Sequence, residues 1–309
     1  ARVVNRHLGV SRDDCWFLAL PAFHVGGFGV MARAQAAECR FAGLNGPWDP
    51  PHFAAELASA GATHTSLVPT QVFDLVDAGL RAPDPLQAVV VGGGTLDESL
   101  GCGARDLGWP VLQSYGMTES GSQIATAGLD ALRKEFRNAP LPVLPDWDLR
   151  LDAAGRLEIR GPALLDCYVT MDGDHASRVE AVREGWFATS DLVELQGREL
   201  RFLGRCDRFV KVLGELVNLA ELEGLLQAAW SGRVECRVVA MGDPRSGRIL
   251  CPVFEKRVPD HAHGMIAQLN ATLPGFSRLG EPIVISRWPR TPVGKVDFSK
   301  LERQIKPGR

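Results

Sequence analysis

What this chain of 309 residues lacks first is an excess of basic charge: 34 Lys and Arg stand against 37 Asp and Glu, a net charge of −3. Nucleic-acid binding, which needs a clustered positive footprint, is excluded as its main role. It also lacks any C-x-x-C pair, and its seven cysteines, at 15, 39, 102, 167, 206, 236 and 251, are odd in number. That excludes a disulfide framework and a zinc ribbon, and it fits a reducing, cytoplasmic compartment. Long apolar runs are scarce too. The nearest is the uncharged stretch from Cys15 to Ala32, broken by Pro21, His24, Gly26, Gly27 and Gly29, which reads as a buried strand, a turn and a small-residue helix rather than a membrane span. No signal peptide is visible. The 33 Gly and 20 Pro follow no fixed period, which excludes collagen-like and coiled-coil classes.

What is present is ordinary globular text, 45% apolar and 23% charged, long enough for two domains or three small lobes. Charge is unevenly spread. From Asp207 onward the chain carries a net +5, and before it a net −8. A basic C-terminal segment on an acidic body suits a lobe that meets a phosphorylated ligand, although solvated surface charge would look the same.

The first half alternates short apolar strands with helices. Trp16–Leu20 precedes a break at Pro21–Gly27 and a helix over Phe28–Ala37. Thr63–Val68 runs into a helix at Pro69, with Thr70 placed to cap it. Leu86–Val91 ends in Gly92-Gly93-Gly94 before a helix over Leu96–Arg105, and Pro110–Gln113 runs into the loop Ser114–Glu119. This pattern predicts a doubly wound, mainly parallel α/β sheet, whose ligands sit at the carboxyl ends of the strands. Short strands between Gly- and Asp-rich turns then predict a small β-lobe, followed by a compact α+β domain. The expected division is 1–138, 139–206 and 207–309.

Several clusters could carry chemistry. Ser114-Tyr115-Gly116-Met117-Thr118-Glu119 places an aromatic, a glycine, a hydroxyl and a carboxylate together, a set able to stack a base, approach a phosphate and hold Mg²⁺. Gly185–Asp191 puts a carboxylate after an aromatic run, within reach of ribose hydroxyls. Gly204-Arg205-Cys206-Asp207 lies where a hinge belongs. Thr291–Asp297 holds Lys295 on a loop stiffened by Pro292 and Gly294, a point charge for a phosphoryl oxygen.

In this order, with Leu20–Gly27 and Thr63–Gln71, the motifs resemble the adenylate-forming acyl-CoA synthetases over nearly the whole chain. Within that family Leu20–Gly27, Thr63–Gln71 and Glu184–Thr189 are most similar to the branch that acts on o-succinylbenzoate in menaquinone biosynthesis. The resemblance implies an AMP-forming acid–CoA ligase using ATP, CoA and Mg²⁺, in which a carboxylate is adenylated and then transferred to CoA. It implies that Tyr115 stacks on adenine and that Gly92, Gly93 and Gly94 line the adenine and acyl pocket. Ser114 and Gly116 belong to the same nucleotide site, Thr118 would bind phosphate, Glu119 Mg²⁺, and Asp191 with Arg205 the ribose. Asp207 is the implied hinge. Lys295 would bridge the substrate carboxylate and the α-phosphate, and Lys211 and Gly214 would border the CoA tunnel.

His24 corresponds to a histidine near the reacting carboxylate. Arg33, in a helix otherwise rich in Ala, Gly and Met, corresponds to an arginine for the substrate's second carboxylate, with Ser122 and Gln123 as polar neighbours in that pocket. A buried cation there needs a partner.

The sequence departs from the family at Ser190, where glycine is usual, and at Phe298, where arginine is frequent. It opens on Ala1, after the point where the family's phosphate loop is expected, so the chain reads as a piece of a longer protein. Two other readings stay open: an adenylating enzyme with a carrier-protein acceptor, and a non-catalytic AMP- or acyl-binding remnant. A homodimer is compatible with all three. The expected partners are small molecules, with no nucleic acid and no membrane.

Overall fold

A strand as apolar as Ala88–Val91 can be buried only when both its faces are covered, and in the computed structural model both are. The structure describes residues 1–172, 175–213, 215–230, 234–243, 247–291 and 296–305, in two compact units, 1–203 and 204–309. The first unit opens with α1 (Arg2–His7). It then runs β1 (Cys15–Leu18), α2 (Val25–Ala37), β2 (Arg40–Gly43), α3 (Pro50–Ser59), β3 (His64–Leu67), α4 (Pro69–Asp77), β4 (Ala88–Val91), α5 (Glu98–Asp106), β5 (Val111–Met117) and β6 (Ser122–Thr126).

These six strands form one sheet in the order β2-β1-β3-β4-β5-β6. The pairings are parallel as far as β5, and β6 closes the edge antiparallel to it. Because successive side chains point to opposite faces, each strand feeds two cores. Trp16, Ala88, Val90 and Leu112 pack with Val4 of α1, Leu8 just after it, and Val30 and Ala34 of α2. Cys15, Phe17, Val89, Val91 and Val111 pack on the other face with Phe53, Leu57, Val72, Leu75 and Ala104 from α3, α4 and α5. The sheet is thus doubly wound, as the alternation predicts.

Local chemistry starts the helices. Asp49 accepts from the His52 N–H with Pro50 in the first turn, and Asp97 caps α5 through the Ser99 and Leu100 N–H groups. Three expectations need correction. The second helix begins at Val25 rather than Phe28: His24 is its N-cap, its Nδ1 accepting from the Gly26 N–H at 3.2 Å, so Gly26, Gly27 and Gly29 lie inside it. Thr70 does not cap α4. The N-cap is Val68, whose N–H donates to Gln71 Oε1 at 3.0 Å. Ser114–Met117 is not a loop but the end of β5, kept extended by its pairing with β6.

After the sheet come β7 (Leu141–Pro142), β8 (Asp148–Leu151), β9 (Arg156–Arg160), β10 (Cys167–Asp172), β11 (His175–Glu180), β12 (Val182–Arg183), β13 (Trp186–Gln196) and β14 (Glu199–Arg205). Strands β10 and β11 make a separate hairpin, and the other six share a second sheet. Leu157, Ile159, Phe187, Val193 and Leu200 on its inner side join the core beneath α1 and α2.

The unit from residue 204 holds the hairpin β15 (Phe209–Val212) and β16 (Glu215–Asn218), α6 (Leu219–Ala229), β17 (Arg237–Asp243), β18 (Gly247–Glu255), α7 (Ala262–Thr272), β19 (Ile283–Ile285) and α8 (Phe298–Ile305). Strands β17, β18 and β19 form its sheet, and Leu219, Leu222 and Leu226 of α6 pack on it. Its buried Arg208 pairs with Glu223, donates to the Val238 carbonyl at 3.1 Å and lies 3.9 Å from the centre of the Phe298 ring. No helix among the described residues is long and apolar enough to cross a membrane.

The placement of α2 rests on Gly27. A Cβ there would lie 2.3 Å from the Pro21 carbonyl oxygen, a backbone atom that cannot swing aside. Gly27→Ala should therefore lower stability by about 2–4 kcal/mol in thermal or denaturant unfolding. A loss below 0.5 kcal/mol (~ the effect of an ordinary surface change) would show that α2 is free to shift.

Candidate active site

Helix α2 packs against β1, β3 and β6, and it carries one charged side chain inward. Arg33 is 2% exposed. Its guanidinium donates from Nη1 to Gln123 Oε1 and from Nη2 to Ser66 Oγ at 3.0 Å, and it sits 4.5 Å from the centre of the Trp16 ring. All three partners are neutral, and no carboxylate of the described residues comes within ion-pair distance. Burial accordingly pushes the arginine down to about 9. Gln123 extends the network, its Nε2 donating to Thr126 Oγ1 at 2.7 Å, and Thr126 shares a hydrogen bond of 2.9 Å with Ser114 Oγ. A polar chain thus runs from Ser66 on β3 through Arg33 to Ser114 on β5.

Arg33, Ser122 and Gln123 line a pocket of about 400 Å³, walled by apolar groups including Phe28, Leu144 and Trp147, with exposed Asp146 at its rim. Gly29 opens the α2 side, since a Cβ there would stand 3.4 Å from Ser122 Oγ. Ser122 has φ +126°, in the region that favours glycine. Opposite it, a Cβ on Gly116 would fall 1.6 Å from the Ser122 carbonyl oxygen, at the place where the β5–β6 register shifts. A strained serine packed against an obligatory glycine is the local cost of bringing the two strand ends together, and such strain collects at functional sites.

At the end of β5, Tyr115 donates to Asp191 Oδ2 at 2.5 Å, and its ring lies 5.8 Å from that of Phe202. Asp191 is buried on β13, its N–H donating to Thr189 Oγ1 at 3.0 Å. Thr118 and Glu119 form the next turn, Thr118 exposed and Glu119 accepting from the Tyr168 hydroxyl at 2.9 Å. Gly92, Gly93 and Gly94 follow β4, with the Gly92 N–H donating to the Leu67 carbonyl at 3.1 Å. The arrangement puts a buried cation, an aromatic–carboxylate pair and an accessible hydroxyl–carboxylate turn in one unit. It can hold an acid at one end and a polar, phosphorylated group near the other.

The sequence over residues 1–169 matches the AMP-binding enzyme family. The chain belongs to that family.

Among curated relatives, a 2-succinylbenzoate–CoA ligase of Bacillus mycoides is 31% identical over 258 residues, covering 79% of this chain and 52% of the relative. One from Bacillus cereus is 29% identical over 257 residues, with the same coverage. This family member therefore spans about half the length of the curated relatives it matches. Among solved structures, o-succinylbenzoate CoA synthetase of Bacillus subtilis, in complex with the acyl-adenylate intermediate OSB-AMP, superposes with a TM-score of 0.83 at 23% identity. That match covers 100% of this chain and 64% of the other. The wild-type Escherichia coli enzyme, bound to an analogue of OSB-AMS, matches with a TM-score of 0.69 at 25% identity, over 99% and 64%.

Of the residues singled out in the sequence, Arg33, Ser122 and Gln123 come together in the pocket, with the Gln123 amide engaged by Arg33 and Thr126. His24 caps α2 and is not among the residues lining that pocket. Arg205 and Lys211 are exposed on β14 and β15 in the unit from residue 204, and Asp207 lies in the short turn Cys206–Arg208. Gly214 and Lys295 lie outside the described residues. Among the described residues, no three His, Cys, Asp or Glu side chains gather into a metal site.

Sequence reasoning missed the supports: Trp16 and Ser66 for Arg33, Tyr168 for Glu119 and Phe202 for Tyr115. Strand alternation was the available signal for the first two, because it places Trp16 and Ser66 on the face that α2 covers.

Beneath Trp16, the fully buried His64 lies with its ring centre 5.1 Å from that of the indole, and its Nδ1 shares a hydrogen bond of 2.8 Å with Thr63 Oγ1. Burial holds this imidazole below the usual histidine value, against the pull of Asp14 at 4.0 Å. Protonation therefore favours the unfolded chain. Stability is complete above the unfolded value of about 6.5 and falls as pH drops through it. Acidification from about pH 7.5 to 5.5 should lower the melting temperature more in the parent than in His64→Phe. Equal slopes would show that His64 carries none of the acid sensitivity.

Proposed function

We propose that this chain forms the acid- and nucleotide-binding part of an AMP-forming acid–CoA ligase whose acid is o-succinylbenzoate. The observation that carries this reading is Arg33: a buried guanidinium whose partners among the described residues are all neutral, at the wall of a largely apolar pocket. An aromatic acid with a second carboxylate supplies both the apolar surface and the missing counter-charge. The names of the relatives agree with that chemistry.

In this reading the aryl carboxylate meets Arg33 and Ser122 while the ring lies against Phe28 and Trp147. The succinyl carboxylate attacks the α-phosphorus of ATP, the bond to the bridging oxygen breaks, and pyrophosphate leaves. The CoA sulfur then attacks the acyl carbon, and AMP departs with the electron pair of the broken acyl–oxygen bond. Tyr115 and Asp191 bind the nucleoside. Thr118 and Glu119 face the phosphates, and one carboxylate beside a hydroxyl fits Mg²⁺, which is held by one or two carboxylates plus substrate oxygens. That ion, when bound, neutralises phosphate charge. Lys295 stabilises the charge that gathers on the α-phosphate oxygens, and Asp207 and Lys211 serve the second half-reaction as hinge and tunnel residue. All of this chemistry uses small-molecule partners.

The test is pyrophosphate release with ATP, Mg²⁺ and o-succinylbenzoate, followed by CoA. Release and then the CoA thioester are expected. Arg33→Ala should raise the KM for the acid about 10–100-fold, and Lys295→Ala should slow adenylation about 10²–10³-fold. Release without a thioester would assign a carrier-protein acceptor instead. AMP binding with no release, in this chain and in one extended at its N-terminus, would overturn the ligase reading in favour of a non-catalytic binder.

A further inference from the structure

Arg33 keeps its charge unneutralised because of what lies beneath it. A buried cation is expensive in an apolar interior unless something compensates, and a carboxylate partner would compensate by cancelling the charge that a ligand needs. The indole of Trp16 compensates the charge without cancelling it. Its π face attracts the guanidinium without neutralising it, and within a dry core that attraction is stronger than at a surface.

The indole is itself packed against a second ring. Trp16 is 0% exposed and stands opposite His64 in the β1–β3 register. The imidazole is tilted 43° to it, and Thr63 fixes that imidazole in turn. Trp16 Nε1 has no hydrogen-bond partner among the described residues, and ring contacts set its orientation. Arg33 Nε is likewise buried with no partner among the described residues. The pile Thr63–His64–Trp16–Arg33 therefore runs from the β1–β3 pair to the pocket wall, and its last member is the only one that lines the pocket.

We infer that Trp16 is a positioning residue. It aims the Arg33 guanidinium at the pocket and thereby sets the preference for acids that carry a second anionic group. For its substrate the inference rests on the ligase reading above. Its physical content, a π face that holds a cation for an anionic ligand, can be tested by binding as well as turnover.

Adenylation would be followed by pyrophosphate release with o-succinylbenzoate and with 4-oxo-4-phenylbutanoate, which lacks the aryl carboxylate. Trp16→Leu should raise the KM for the dicarboxylate about tenfold, with the change falling on KM rather than kcat. The KM for the monocarboxylate should move far less, so discrimination between the two acids collapses. Trp16→Phe, which keeps a ring face, should recover most of the preference.

Because a leucine in this core can unfold the chain, a second route leaves the shape intact. Biosynthetic replacement of all seven tryptophans by a fluorinated tryptophan withdraws electron density from the ring face. It should raise the KM for the dicarboxylate more in the parent than in a Trp16→Phe background, where the fluorinated Trp147 of the pocket wall remains and Trp16 does not. Equal changes for both acids, no rescue by phenylalanine, or the same fluorine effect in both backgrounds would each reduce Trp16 to a core residue and overturn the inference. If neither acid releases pyrophosphate, the ligase reading fails on its own account. Calorimetric titration of the same variants with o-succinylbenzoate then decides the role of Trp16: a weakened Kd in Trp16→Leu restored in Trp16→Phe upholds it, and unchanged or absent binding overturns it.

Discussion

The organisation of the first unit depends on one buried guanidinium. Arg33 draws its partners from three strands, Trp16 on β1, Ser66 on β3 and Gln123 on β6, while Asn5 on α1 donates to its backbone carbonyl at 2.8 Å. A charge in that position must be compensated by polarity and polarisability if it is not paired. The requirement fixes how α2 lies on the sheet. Part of that polarity sits at the centre of the parallel sheet, where β3 carries His64 and Ser66 on the α2 face and Thr65 on the other instead of aliphatic side chains. Each of those three has a partner: Thr63 for His64, Arg33 for Ser66 and the Phe17 carbonyl for Thr65.

The same demand for close approach explains the strained and stripped backbone around the pocket. Gly27 lets α2 touch the Pro21 carbonyl, and Gly116 lets β5 close on Ser122, which takes a backbone conformation better suited to glycine. Gly27 and Gly116 set the distance between the helix that carries Arg33 and the end of β5, where Tyr115 and the turn of Thr118 and Glu119 stand. A polar chain through Gln123, Thr126 and Ser114 crosses that distance, so the pocket at Arg33 and the end of β5 share one hydrogen-bonded frame.

Much of this was legible in the residues. A sheet covered on both faces needs apolar strands bounded by Gly and Pro, and Leu86–Val91 and Thr63–Val68 have that form. The start of α2 was not legible. Gly26, Gly27 and Gly29 are poor helix formers taken singly, and what overrides propensity is a contact with Pro21 that excludes any side chain. Ser114–Met117 reads locally as a loop because its residues are small and polar, yet pairing with β6 holds it extended. Propensity carries no information about a partner strand.

The sequence by itself determined the alternating α/β order, the family, and which residue types stand at the strand ends, because all three are written in local pattern and motif. Only the tertiary structure decided what those residues touch. Gln123 meets Arg33 across 90 positions of chain, and Tyr115 meets Asp191 across 76. Such contacts follow from how helices and strands pack, which no window of sequence contains. The neutrality of the shell around Arg33 belongs to the same class of fact: it is a property of three strands and a helix brought together, and it makes the arginine available to an anion.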